Sequence, residues 1–256
     1  MLINTVILFI RDTLPVFLLV SLLLSFVSVP RYAVLSGVGS GGLLALLVYL
    51  GLDGLLAIGD GNGLEWLKIG ALLLGWLALV VSLLAMEQQC SNQFKALALG
   101  LMAALFTLPN AIHFLIYSLA YWPGAQSGSA MMLGTVIGLG ISLSLAILLN
   151  MLLSGLTPAF VRALLLCAFC AGQVAAIANM LEQINWLPDQ TRIWNTAGWL
   201  KDESEYGHLF NALFGYEETP SQAYLITYCV AFLIPLVAAI AFRKHSVFLY
   251  VKAGEQ

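Results

Sequence analysis

Seven apolar stretches, each long enough to cross a bilayer as a helix, constrain this chain more than any other feature. They run approximately over Ile3–Val29, Tyr32–Leu52, Leu64–Met86, Phe94–Trp122, Ala130–Leu153, Pro158–Leu181 and Ala223–Phe242. A bilayer core asks for roughly 20 residues in helical form. Backbone inside lipid must satisfy its own hydrogen bonds, so an apolar run of this length reads as a helix. Only 9% of the residues are charged and 61% are hydrophobic, against roughly 25% charged in a soluble domain. A globule of 256 residues could not hide so much apolar surface, whereas a bilayer can. The expected class is an all-α integral membrane protein with seven transmembrane helices, embedded in the lipid bilayer, and not a soluble enzyme. A net charge of −3 leaves no basic footprint for nucleic acid.

The first stretch is read as a membrane helix and not as a leader. It lacks a basic start, Arg11 and Asp12 interrupt it, and it continues too far for a signal core. Lys and Arg favour the cytoplasmic side. With the N-terminus outside, the inner loops and span ends receive six such residues: Arg31, Lys95, Arg162, Arg243, Lys244 and Lys252. The outer ones receive three, Lys68, Arg192 and Lys201. The expected arrangement is therefore N-terminus outside and C-terminus inside, in the cytoplasmic (inner) membrane.

The outer segments are acidic, with Asp53, Asp60 and Glu65 in one, and Asp189, Asp202, Glu203, Glu205, Glu217 and Glu218 in another. Such a surface attracts cations. The longest polar stretch, about Glu182–Gln222, also carries Trp186, Trp194, Trp199, Phe210, Phe214 and Tyr216. The aromatic content suggests helices lying on the outer surface with their rings at the headgroup level.

Ionisable groups deep in a span are costly and point to function by default. Span one holds Arg11, Asp12, Thr13 and Pro15. Arg11 and Asp12 are neighbours in sequence and so point about 100° apart on a helix, which suggests separate partners. Pro15 has no N–H, so the carbonyl of Arg11 loses its helical bond. A carboxylate beside a freed carbonyl is a cation stop; a buried Arg–Asp network that ties helices together is the competing reading, and both stand. Span four repeats the theme. Thr107, Asn110, His113 and Tyr117 recur at three- and four-residue steps on one face, and Pro109 frees the carbonyl of Leu105. Interhelical hydrogen bonding accounts for Thr107 and Tyr117, while His113 is the group with the chemistry of a ligand or proton carrier.

A broken, polar span thus occurs twice, three spans apart. Interrupted helices in corresponding halves are a transporter signature. The expected organisation is a single membrane domain of two three-helix repeats, about 1–90 and about 91–184, then an outer acidic and aromatic segment, about 185–222, and a last helix, about 223–242. Small residues spaced four apart, Ser36, Gly37, Ser40 and Gly41 in span two and Gly134 and Gly138 in span five, let helix backbones approach closely. Cys167 and Cys170 share a helical face and could bind a soft cation, but cysteine is commonly a small core residue, and packing is the expectation. No nucleophile–base pair, phosphate loop or pair of catalytic carboxylates emerges, and no resident cofactor is expected.

The order of these features resembles the high-affinity iron permeases, the oxidase-coupled permeases of fungi and their bacterial relatives. The likeness covers nearly the whole chain and is strongest from about Gly134 to Phe242. The run GTVIGLGISLSLAILL is similar to the family's glycine-rich fifth span, and AIANMLEQINWLP is similar to its helix end with a glutamate, matched by Glu182. LFNALFGYEETPS is similar to the signature before the final span, with Gly215, Tyr216, Pro220 and Ser221 in its fixed positions. FIRDTLPVFLLVSLLLS resembles the Arg-Glu-Gly-x-Glu motif, with Arg11 as the arginine and Asp12 as the first glutamate. Thr13 stands where the glycine is, and Pro15 where the second glutamate is. In span four the corresponding run, Leu108 to Ile112, has neither the arginine nor the glutamates. One motif carboxylate of four is kept, so the chain reads as a divergent member with degenerate motifs. Ferric iron is a hard cation that favours carboxylate oxygens, and the loss implies an altered conduction site.

The resemblance implies a membrane permease that moves iron or another cation, with iron as substrate. The ion pathway would use Arg11, Asp12, Thr13, Asn110, His113 and Glu182, with Asp12 and Glu182 as the metal-contacting residues. A periplasmic or extracellular metal-delivery or oxidase partner is implied by the resemblance alone. The alternative is a non-transporting subunit on the same scaffold that supports a metal-uptake complex. A soft-metal protein built on Cys167 and Cys170 ranks last.

Overall fold

The computed structural model describes residues 2–26, 29–87, 91–121, 128–156, 158–188, 190–202 and 204–253. Cys90, Trp122, Asp189 and Glu203 lie outside them. The protein is 82% helical and forms no strand among the described residues. The helices are α1 (Leu2–Leu24), α2 (Arg31–Leu50), α3 (Leu52–Leu56), α4 (Gly63–Glu87), α5 (Asn92–Tyr121), α6 (Gly128–Leu156), α7 (Ala159–Gln183), α8 (Glu205–Phe214) and α9 (Gln222–Ala253). All but α3 and α8 are long and apolar enough to cross a membrane. The chain is an all-α, seven-span membrane protein.

Two boundaries differ from the sequence reading by more than three residues. The first helix stops at Leu24 and not at Val29. Ser25 folds its hydroxyl back onto the Leu22 carbonyl at 2.6 Å, and Pro30 enters α2 in extended conformation. A proline disfavours helix in the residue before it, so the turn falls ahead of Pro30. The last helix runs beyond Phe242 to Ala253.

The two most extensive helix interfaces are α1 with α6 and α2 with α5. Glycines make both approaches close. A Cβ on Gly41 would meet the Ala104 backbone at 2.5 Å, and one on Gly37 would strike the Gly100 carbonyl. A Cβ on Gly134 would meet Thr5 at 2.8 Å, and one on Gly138 would meet Phe9 at 3.0 Å. Polar links reinforce the α1–α6 seam: Ser21 donates to the Ala146 carbonyl at 2.8 Å, and Asn150 donates to the Ser21 carbonyl at 3.0 Å. Exchanging the first three spans with the next three maps one of these interfaces onto the other.

Helix α4 lies along α5 and also touches α9, where Trp76 donates its indole N–H to the Ala231 carbonyl at 2.9 Å. Helix α9 packs chiefly on α7. The core is a continuous apolar cluster centred on Leu14, Leu18, Leu79, Phe106 and Phe169. Apolar residues such as Leu43, Leu47, Val136, Leu148 and Val237 point outward, as lipid-facing residues of a span do.

Between α7 and α9 the chain forms a cap on the face where α1 begins. The expected set of surface helices is reduced to one, α8, with irregular chain around it. Ser204 caps the start of α8 by accepting from the Gly207 N–H at 3.0 Å, and Gly215 ends it in left-handed conformation (φ 65°). This is the pairing of a hydroxyl N-cap with a glycine stop. Before α8, the chain is fastened by main-chain bonds from Ile193 to Pro220 (3.1 Å) and from Thr196 to Glu218 (2.9 Å).

A candidate functional site beneath the cap

The two spans with an internal proline meet under the cap, and neither is interrupted: α1 and α5 run as continuous helices through Pro15 and Pro109, against the expectation of broken spans, because membrane helices tolerate an internal proline. Both prolines, Pro15 of α1 and Pro109 of α5, line a polar cavity of about 740 Å³. Its floor is formed by Arg11 and Asp12 (α1), Lys68 and Leu72 (α4), and Asn110, His113 and Tyr117 (α5). One wall is a stripe on α7 that includes Gln173, Ala176, Asn179 and Gln183. The cap contributes Asp202, His208, Asn211 and Glu217.

Asp12 is 5% exposed. Its Oδ1 accepts from Arg11 Nε at 3.2 Å, while Oδ2 is buried without a hydrogen-bond partner. The neighbouring pair therefore bonds to itself, against the expectation of separate partners; the flexible arginine stem bends across the gap between the two directions. The Arg11 guanidinium carbon also sits 5.8 Å from the ring centroid of Tyr117, within cation–π range, and this contact links α1 to α5. Phe9 and Phe114 pack edge to face at 5.2 Å alongside it. Asn110 donates to the Phe106 carbonyl at 3.1 Å.

The sequence-nominated residues divide. Arg11, Asp12, Asn110 and His113 come together at the cavity. Thr13 turns away into the α1–α6 seam, where its hydroxyl donates to the Phe9 carbonyl at 2.7 Å and shares a 2.9 Å bond with Ser142. Its position one residue past Asp12 rotates it off the cavity face. Glu182 stands at the end of α7 outside the cavity lining and pairs with Arg192 of the cap at 3.2 Å. Thr107 packs against Gly41, so the polar stripe of α5 splits between an interface and the cavity. Cys167 and Cys170 are buried, Cys170 in the main core.

Lys68 was missed. The charge count assigns it to an exposed span end, yet it is 6% exposed, with Glu65 Oε1 at 3.9 Å. The α7 stripe was missed as well, although its signal was present: Gln173, Asn179 and Gln183 are polar residues at helical spacing in an apolar span. His208 and Asn211 were not, because the cap folds back from far along the chain.

The cap is held by the run Gly215 to Ser221. Gly215 and Gly172 of α7 touch backbone to backbone, with no room for a Cβ on either. Tyr216 donates to the Leu200 carbonyl at 2.8 Å and shares a 2.6 Å bond with Thr196. Asp202 and Glu218 clasp each other's main-chain N–H groups at 3.0 Å. Asn179 donates to Glu217 at 3.0 Å, and Ser221 caps α9 by accepting from the Tyr224 N–H at 3.1 Å. Burial pushes the Asp202 and Glu217 carboxyls above the ordinary range, partly offset at Asp202 by the Glu218 N–H and at Glu217 by Asn179.

No family model, curated protein or solved structure matches the chain. The geometry of the site and the sequence resemblance therefore carry the functional argument. The geometry describes a capped chamber lined by charged and polar side chains, with a half-buried ion pair on its floor and carboxylates on its cap, set where two proline-containing spans meet.

Proposed function

We propose that the protein is a membrane permease of the iron-permease kind, moving iron or another cation across the cytoplasmic membrane from the capped side. The observation that carries this reading is Asp12: a buried carboxylate with one oxygen unpaired, on the floor of a cavity between two spans that each carry an internal proline. An unsatisfied buried acceptor costs about 1–3 kcal/mol, a cost a bound cation would remove. The interlocked packing of α1 on α6 and α2 on α5 supports two repeats related by exchange, with the cavity at their crossing. Asp202 and Glu217 would draw cations toward the mouth, with Asn110 and His113 lining the path. The N-terminus and the cap lie outside, where a metal-delivery or oxidase partner would dock.

The test is radioactive iron uptake into proteoliposomes, with ferric and ferrous iron offered separately. Uptake that falls to background in Asp12→Ala supports the reading, and uptake indifferent to Asp12 removes it.

A second reading is favoured by one observation. Among the described residues, no three His, Cys, Asp or Glu side chains stand close enough to hold a metal ion together. On that ground the chain would be a non-transporting subunit that stabilises a metal-uptake complex. Absence of flux from folded protein, together with a co-purifying membrane or periplasmic component, would favour it.

A further inference from the structure

Two residues that line the cavity each bury an acceptor atom without a hydrogen-bond partner. One is Oδ2 of Asp12 on the floor, a side chain 5% exposed. The other is Oδ1 of Asn179 on the α7 wall, whose amide nitrogen already donates to Glu217 at 3.0 Å. Both atoms are short of a donor. Buried polar atoms are paired in the great majority of cases, and each exception asks for an explanation. A ligand that answers both brings N–H or O–H groups to two walls at once.

Charge selects between those donors. Arg11 and Lys68, the arginine and lysine of the lining, already have carboxylate partners: Asp12 at 3.2 Å and Glu65 at 3.9 Å. The cap carboxylates Asp202 and Glu217 are held by neutral donors, the Glu218 N–H and the Asn179 amide. The cap side of the lining is therefore acidic, and it favours a positively charged donor over a neutral hydroxyl. A metal ion fits poorly, because among the described residues no three His, Cys, Asp or Glu converge. An ammonium group asks for no such cluster. It carries three N–H donors, and each is satisfied by one acceptor, carboxylate or amide alike. The volume, about 740 Å³, lies in the range of sites for small organic ligands.

We infer that the cavity takes an organic ammonium ion, a short diamine with one ammonium on Asp12 and the other at Asn179 and Glu217. This rests on the permease reading and makes its cation organic in place of a metal. Asp12 then binds through a charge-assisted hydrogen bond, the stronger kind, and Asn179 is the residue that tells a diamine from a monoamine.

The test is equilibrium dialysis of the purified full-length chain against carbon-labelled 1,4-diaminobutane. The expected result is retention that weakens about tenfold in Asp12→Asn. Asn179→Ala should weaken the diamine in the same way and leave the weaker retention of butylamine unchanged. The fully N-methylated diamine, which keeps the charge and lacks N–H, should compete poorly, and so should 1,4-butanediol, which has donors and no charge. No retention of the diamine, or equal competition by either analogue, would overturn the inference. Should the variants not fold, this competition series on the wild-type chain decides. Proteoliposome flux separates the two ideas. Asp12-dependent iron uptake with no diamine retained overturns the diamine and leaves the permease. Diamine retained, with no flux of diamine or iron, supports the site and removes the permease.

Discussion

Asp12 and Gly215 show how much single positions carry in this fold. Asp12 is held by Arg11, which is held in turn by Tyr117, so Asp12→Asn is expected to keep the bundle intact while losing the charge. Uptake should be lost as fully as in Asp12→Ala, with a thermal midpoint close to that of the wild type. Gly215 adopts a left-handed conformation and touches Gly172. Left-handed backbone costs a residue with a Cβ about 1–2 kcal/mol, and the collision with α7 adds to it. Gly215→Ala is therefore expected to detach the cap, read as faster proteolysis within it while the spans stay protected. Equal protection in both proteins would contradict the fastening role assigned to this run.

Among the elements, α2 offers the sharpest contrast, because its glycines face two environments. Gly37 and Gly41 abut the α5 backbone, whereas a Cβ on Gly39 or Gly42 would meet nothing within 4 Å. Gly37→Leu should destabilise by at least the ~1–3 kcal/mol typical of overpacking, and Gly39→Leu should be neutral, as measured by folded yield and thermal midpoint in detergent. A matching loss is expected in Gly138→Leu on the α1–α6 interface. The spans themselves were readable from sequence because lipid tolerates little but an apolar helix. Their partners were not: glycines spaced four apart announce a close contact without naming the helix that fills it. The cavity was half readable for a similar reason. Asp12, Asn110 and His113 stand out as polar groups in apolar runs. Thr13 misleads, because a hydroxyl looks the same facing a cavity or a neighbouring helix. Lys68 hides near a span start, where lysines ordinarily reach for water.

For the whole molecule, the cap and the bundle form one device, and the contacts that hold the cap over the half-open cavity include two carboxyls shifted by burial. Burial raises the Asp202 and Glu217 carboxyls, Glu217 above its ordinary value of 4.5. A raised acid binds its proton more tightly in the folded state, so its contribution is fully present below the ordinary value and is lost as pH rises through the raised one. Cap attachment should be strongest in mild acid and loosen toward neutrality, and Glu217→Gln should flatten that dependence. Proteolysis of the cap across this range checks it; a cap that tightens with rising pH would contradict the account.

The central claim is that substrate occupies this cavity, and accessibility tests it most directly. In a chain with its own cysteines replaced, Ala176→Cys on the α7 wall should react with a membrane-impermeant maleimide applied from the capped side, and ferric or ferrous iron should slow that reaction. A thiol that stays inert, or that reacts at the same rate with and without either form of iron, would contradict it.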